Sequence, residues 1–566
     1  MEVSRTKAYI GVIGSGVINN TGATLNADGT EPIDLLGGTI EGGTITSTNN
    51  GNVVASYTST LSTLTLDAPL TGGDLTGNSL INNSSITISS NGVLVLEGSW
   101  ANNGLITTSG ASVVLDTMAS TLGTFKVTGG FEYLYGPATT AQLQQIVSKD
   151  ASWSLNNGAT INNTGNDLVL SQSGSNWSFY GGEIDGGTIS STDGTQLAIT
   201  RSGSYLFTSL IINGVTLSTG AQITNGVTPT FENGFTLANS ATVQIGATPY
   251  GSGSMIFSGT QTLGGTGKIL LQGDRGETSS VYSSSGTLTI GPNISIATGS
   301  NLGTVGNTTG SIVNNGVISS PVSGVTLTIA GTFTNNGTIQ ASNGGNVTIS
   351  SPSLLTNLDS GTLVGGTWNV FAGSTLNLPS TSITANAANV QLSGTGSNFT
   401  ALNTLASNTG TLTVAGGRIF TTSAPLLTND GLLAIFSGSE INASAFDDNS
   451  DGTMSFQLSK GTTASGLFDA SGTVNLGGTL EWSLAPGYTP AIGDLLTILG
   501  GSSVSGVFVD TIAPTLPQGV GYSVVYSPSE VQIDFEAVPE PASLSVMIAS
   551  ILMLGGRRSV RRPLRA

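Results

Sequence analysis

The chain of 566 residues carries no cysteine and no histidine, only 8% charged residues, 81 glycines and a formal charge of −18. These features exclude disulfides, thiolate and imidazole metal sites, and catalysis built on a histidine base. Five of the 14 basic residues fall in the last ten positions, and the 9 that remain upstream are too few to coat a nucleic-acid-binding surface.

Length alone would allow about four ordinary domains, but the composition is that of a repetitive body. Gly and Ser are abundant, yet Val, Ile and Thr alternate with small polar residues throughout, which argues for ordered β-structure rather than disorder. The chain opens Met1-Glu-Val-Ser-Arg-Thr-Lys-Ala-Tyr-Ile10 and runs straight into Gly11-Val-Ile-Gly-Ser-Gly-Val-Ile18. That stretch is too weak for the apolar core of an export signal. For an exported chain, the expectation is therefore a misplaced start or a missing 5′ end.

Repeats follow. Gly37-Gly-Thr-Ile-Glu-Gly-Gly-Thr-Ile-Thr-Ser-Thr48 recurs 144 residues later as Gly181-Gly-Glu-Ile-Asp-Gly-Gly-Thr-Ile-Ser-Ser-Thr192. The lead-ins Ile18-Asn-Asn-Thr-Gly22 and Ile161-Asn-Asn-Thr-Gly165 hold nearly the same offset, 143 residues, so the block reads as a duplication. A shorter step joins Asn314-Asn-Gly-Val-Ile318 to Asn335-Asn-Gly-Thr-Ile339, 21 residues on, with related steps at Asn102-Asn-Gly104 and Asn156-Asn-Gly158. Asn-Gly tolerates positive φ, so each step is expected to be a sharp turn. Short alternating strands such as Val325-Thr-Leu-Thr-Ile329 and Leu412-Thr-Val414 lie between the turns.

A rung of about 20 residues built this way predicts a parallel β-helix or β-solenoid over residues 1–424, a rod of about 20 rungs and about 100 Å. Stacked β-sandwiches are the competing fold, and the 21-residue step favours the solenoid. The poverty in charge fits: like residues stack about 4.8 Å apart, where like charges repel and Thr, Ser, Asn or Val ladders do not.

Leu263-Gly-Gly-Thr-Gly-Lys-Ile269 resembles the glycine-rich repeats of autotransporter passenger domains, which are β-helices. It is not a phosphate loop, because Ile269 follows Lys268 where Ser or Thr is needed. Gly273-Asp274-Arg275-Gly276-Glu277 is a dense charge cluster, and Asp274, Arg275 and Glu277 would be the groove residues of a polysaccharide lyase or hydrolase on this scaffold. Flanking glycines equally make it a solvated turn.

The character changes near 425. Residues 425–535 read as a smaller β-rich, membrane-proximal unit that caps the open end of the rod. Within it, Asp447-Asp448-Asn449-Ser450-Asp451-Gly452 matches the first half of a calcium loop, with Asp447, Asn449 and Asp451 as oxygen ligands. The twelfth position is Leu458 rather than a bidentate Glu, so an acidic turn in water is the other reading.

Residues 536–541 form a linker ending Val538-Pro539-Glu540-Pro541. An uncharged apolar run over 542–556 follows, then arginines at Arg557, Arg558, Arg561, Arg562 and Arg565. As a helix the run would reach about 22 Å, short of the ~30 Å hydrocarbon core, with the arginines snorkelling on the cytoplasmic side. Residues 542–566 are thus expected to form a short transmembrane helix with a basic stop.

Pro539-Glu540-Pro541, an apolar run and an arginine cluster, in that order at the chain end, closely resemble the PEP-CTERM sorting signal. The resemblance covers residues 538–566 and implies an address: retention in the inner membrane, processing by an exosortase, then the cell surface or extracellular matrix. The expected protein is a non-catalytic structural or adhesive one, facing exopolysaccharide or envelope components. It has no cofactor beyond that possible calcium ion and no nucleic-acid partner. The alternative is a polysaccharide-active enzyme using the 274–277 cluster.

Overall fold

Short strands, most of two to five residues, follow one another along the chain, and most turn alternate side chains inward. In Thr326–Ile329, Leu327 and Ile329 are buried while Thr326 and Thr328 face outward. The next turn repeats the pattern in register, with Leu327 opposite Val347 and Ile329 opposite Ile349 in parallel strands. The other strands of these turns pair the same way, Ile312 with Phe333 and Ile318 with Ile339. Three strands make a turn, so each strand bonds to the third one on. Aliphatic side chains at the inward positions then stack into a continuous core.

The computed structural model describes residues 10–171, 175–200, 210–224, 226–246, 251–273, 278–461 and 464–538. The fold is all-β, a parallel β-solenoid of about 20 turns counted over the chain. Among the described residues there is one α-helix, Thr140–Leu143, closed by a capping box between Thr139 and Gln142. Contacts divide the chain into two units. The first runs to Leu358 and includes Gly365–Asn369 and Gly373–Ser380; the second holds Asp359–Val364, Val370–Ala372 and the chain from Thr381 on.

In the first unit, the duplicated block folds as two equivalent pieces. Ile18 lies opposite Ile40, and Ile161 opposite Ile184. Asn20 donates to the carbonyls of Gly42 and Thr44, each at 3.2 Å, and Asn163 to those of Gly186 and Thr188 at 3.1 and 2.8 Å. The glycine-rich 263–269 stretch lies in the strand Gln261–Leu271, where a Cβ on Gly265 would stand 2.0 Å from the Leu237 carbonyl oxygen.

In the second unit, parallel pairing passes through residue 425 without a change of direction. Leu427–Asn429 bonds to Ser407–Asn408 on one side and to Phe446–Asp448 on the other. The first antiparallel pairings come later, where Glu530–Ala537 joins Leu495–Gly500 and Val520–Tyr526. Composition shifts near 425 because the side chains change, whereas the ladder is made by backbone groups that any such strand supplies.

The Asn-Gly steps divide into two kinds. At Asn91, Asn233 and Asn343 the backbone takes positive φ, as the sequence reading expects. At Asn102-Asn103-Gly104, Asn314-Asn315-Gly316 and Asn335-Asn336-Gly337 it does not. Here glycine is demanded by crowding: a Cβ on Gly104 would lie 1.9 Å from the Ser84 carbonyl oxygen, and one on Gly316 2.2 Å from that of Ile294. Gly316→Ala is therefore expected to cost about 1–3 kcal/mol by forcing adjacent turns apart. Gly73→Ala, with nothing within 4 Å of the added carbon, should be close to neutral. Paired urea titrations check the contrast.

Among the described residues no helix is long and apolar enough to cross a membrane. The run at 542–556, Pro539, Glu540 and Pro541, and the arginines 557, 558, 561, 562 and 565 all lie outside the described residues. Val538 is described, exposed and bonded through its N–H to the Gly519 carbonyl at 3.1 Å.

Candidate functional site

The first asparagine of each crowded step points inward and bonds to its counterpart one turn on. Asn82 donates to Asn102 Oδ1 at 2.7 Å, and Asn314 to Asn335 Oδ1 at 2.9 Å. In the second unit the column runs over four turns: Asn386 to Asn408 at 2.8 Å, Asn408 to Asn429 at 2.9 Å, and Asn429 to Asp448 at 2.9 Å. All of these side chains are buried. A carboxamide carries both donors and an acceptor, so it can relay the column; a carboxylate can only end it. Asp448 ends it, taking the Asn429 amide on one oxygen and the Gly478 N–H on the other at 3.2 Å. Burial lifts the Asp448 carboxyl to about 6 against the pull of those two bonds.

The outer faces carry looser columns. Asn103 donates to Asn83 and Asn83 to Asp67, each at 2.8 Å, and Asn336 donates to Asn315 at 3.2 Å. Hydroxyls pair across turns as well: Ser254 with Ser280 at 2.6 Å, Thr287 with Ser311 at 2.8 Å and Thr334 with Thr356 at 2.7 Å. Several outer carboxylates face an amide or hydroxyl from a neighbouring turn. Asp28 is the clearest, held down to about 2 by the Thr30 N–H first, then by Asn49 and Thr48.

The half calcium loop is absorbed into this pattern. Asp447 accepts from Asn475 Nδ2 at 2.6 Å, and Asn475 in turn accepts from the Ser505 hydroxyl. Asn449 reaches the opposite way and donates to Asp430 at 2.8 Å. Asp451 is exposed and accepts from the neighbouring Ser450 hydroxyl at 3.4 Å. Among the described residues no three acidic side chains gather as a metal site. Asp274, Arg275 and Glu277, the enzyme candidates, lie outside the described residues.

Two polar centres escaped the sequence reading. In the second unit Asp494 gathers the Tyr488 hydroxyl at 2.9 Å, the Ala491 N–H at 3.0 Å and Lys460 Nζ at 2.5 Å. The Ala491 N–H, then Lys460, hold its carboxyl below the usual range, while burial and the Asp494 charge push the Tyr488 phenol up. Lys460 stands 34 residues from Asp494, and no local pattern announces the pair.

The second centre is in the first unit. Glu132 is buried in the core, with Oε1 accepting from the Ser148 hydroxyl at 2.7 Å and Oε2 without a partner. Ser148 also receives the Trp153 indole N–H at 3.3 Å, and Trp153 stacks on Trp177 with ring centroids 5.0 Å apart. Burial pushes the Glu132 carboxyl up to about 8, so it is protonated at neutral pH. The signal was present: in Phe131-Glu-Tyr-Leu134 the alternation puts Glu132 on the inward face with Leu134. Sealed from solvent, this acid has a structural part in the core.

Fold and ladders together define a parallel β-solenoid held by polar columns between its turns. A scan against protein-family models matches none, and a comparison with curated proteins returns no relative.

Proposed function

We propose that the chain is an exported surface or matrix protein, sorted through its tail by an exosortase, whose solenoid presents long polar faces to extracellular polysaccharide or envelope components without catalysing a reaction. The observation that carries this reading is the turn-to-turn bonding of outer hydroxyls and amides. It yields regular, weakly charged faces suited to repeated low-energy contacts with a polymer. The tail supplies the address: Val538, Pro539, Glu540 and Pro541 are the sorting motif, and Arg557, Arg558, Arg561, Arg562 and Arg565 hold the inner-membrane orientation. No cofactor is needed.

The test compares the intact chain with one truncated before Val538, both given an export signal, in a host that has an exosortase. The reading expects only the intact form in the membrane fraction, followed by release of a shorter species. Identical fractionation of the two forms would remove the sorting role.

A further inference from the structure

The outward side of the Glu132 strand breaks the rule of the outer faces. Phe131–Leu134 turns Glu132 and Leu134 inward, and Phe131 and Tyr133 outward, with Tyr135 continuing the outward series. Phe131 is 53% exposed and Tyr135 43%, while Tyr133 is half-buried between them. Among the described residues only four aromatic side chains are 40% exposed or more, and these are two of them. The Phe131 and Tyr133 rings lie 6.3 Å apart and within 30° of parallel. Successive outward positions on a strand are about 6.7 Å apart, so the three rings extend over about 13 Å.

The flanks are small and polar. Ser112 and Ser152 lie in register on either side of Phe131, and Val114 and Ser154 beside Tyr133. The Tyr135 N–H bonds to Leu115 and the Asn156 N–H to Leu134, at 3.0 Å each, which sets Asp116 and Asn156 in the flanking turns beside Tyr135.

We propose that Phe131, Tyr133 and Tyr135 form a binding strip for one uncharged glycan chain. The ring faces take the apolar faces of successive sugars, and the Tyr135 phenol with Asp116, Ser152 and Asn156 takes their hydroxyls. This rests on the polysaccharide-facing reading above and places it at a site. Size argues for a linear polymer. Three aromatic side chains, each partly covered, expose at most a few hundred Å², well under the roughly 800 Å² per partner of a stable protein interface. Charge selects the kind of polymer: a chain at −18, with a carboxylate beside the strip, repels a polyanion and leaves a neutral chain unopposed.

The experiment is affinity electrophoresis of the full chain through gels containing hydroxyethyl cellulose, laminarin, dextran or alginate. The Phe131→Ala/Tyr135→Ala double variant runs beside it, and far-ultraviolet circular dichroism confirms that both are folded. Both replaced side chains are exposed, so the fold should survive. The expected result is retardation of the intact chain by a neutral glycan and about tenfold or greater weakening in the double variant. Equal retardation of the two proteins, or retardation by alginate alone, overturns the strip and leaves the wider reading standing. No retardation of the intact chain by any of the four overturns the strip and the polysaccharide-facing part of the wider reading, and leaves the sorting role to the fractionation test.

Discussion

Asn408→Ala is expected to destabilise the second unit by about 3–5 kcal/mol, among the largest effects of any single polar substitution in the chain. The side chain is fully buried, receives the Asn386 amide at 2.8 Å and donates to Asn429 at 2.9 Å. Removing it takes one acceptor from the Asn386 amide, which keeps the Thr411 carbonyl at 3.1 Å, and one donor from Asn429 Oδ1, which keeps the Gly431 N–H at 3.3 Å. The Asn386 N–H that faced Asn408 costs about 1–3 kcal/mol when left unpaired, the lost bond to Asn429 about 1 kcal/mol, and the small cavity adds to that. Asn408→Asp should be comparably harmful, since a carboxylate has no N–H to pass on to Asn429. Asn449→Ala is the control: its side chain is exposed and bonds only to Asp430, so a change within about 0.5 kcal/mol is expected. Turns in a solenoid can open locally, so amide exchange of the flanking strands Ala385–Ser393 and Leu432–Ile435 reads the loss better than one global midpoint. Equal losses for N408A and N449A would show that the column contributes nothing.

Glu132→Gln should change the pH dependence of the first unit. Burial pushes the folded carboxyl up to about 8, from the 4.5 of an ordinary glutamate. The unfolded chain gives up this proton first. Stability from this group is therefore complete below about pH 4.5 and is lost as pH rises toward 8. At 1.36 kcal/mol per pH unit the loss is on the order of 4 kcal/mol by pH 8 to 9. The glutamine variant cannot ionise. It should match the parent near pH 4.5 and exceed it by a few kcal/mol at pH 9, in denaturation followed by tryptophan fluorescence near the Trp153–Trp177 stack. Parallel pH profiles for the two proteins would show that Glu132 is not a buried acid.

The solenoid was legible because it is written in one dimension. The 21-residue step and the inward phase of residues such as Leu327 and Ile329 recur in the sequence at the spacing of the turns. The part played by asparagine was not legible in the same way. Asn-Gly encodes a positive-φ turn at Asn343 and an inward rung at Asn314, and only the neighbouring turn decides between them, by the crowding at Gly316. The surroundings of the calcium half-motif were not legible for a related reason: Asp447 and Asn449 find partners on different turns, Asn475 and Asp430, which local spacing does not reveal. Glu132 could have been found from the alternation of its strand, and Lys460 with Asp494 could not. The Pro-Glu-Pro, apolar run and arginine series proposed as a sorting signal is the clearest feature of the sequence, and apart from Val538 it lies outside the described residues.

The columns of inward asparagines are what tie turn to turn, and side-chain amide hydrogen exchange measured by NMR reports on them directly. The inward amides of Asn82, Asn314, Asn386, Asn408 and Asn429 should exchange orders of magnitude more slowly than the outward ones of Asn83, Asn103, Asn336 and Asn449. If the two sets exchange at similar rates, the inward column does not exist in solution, and the turns are held by backbone ladders and aliphatic stacking alone.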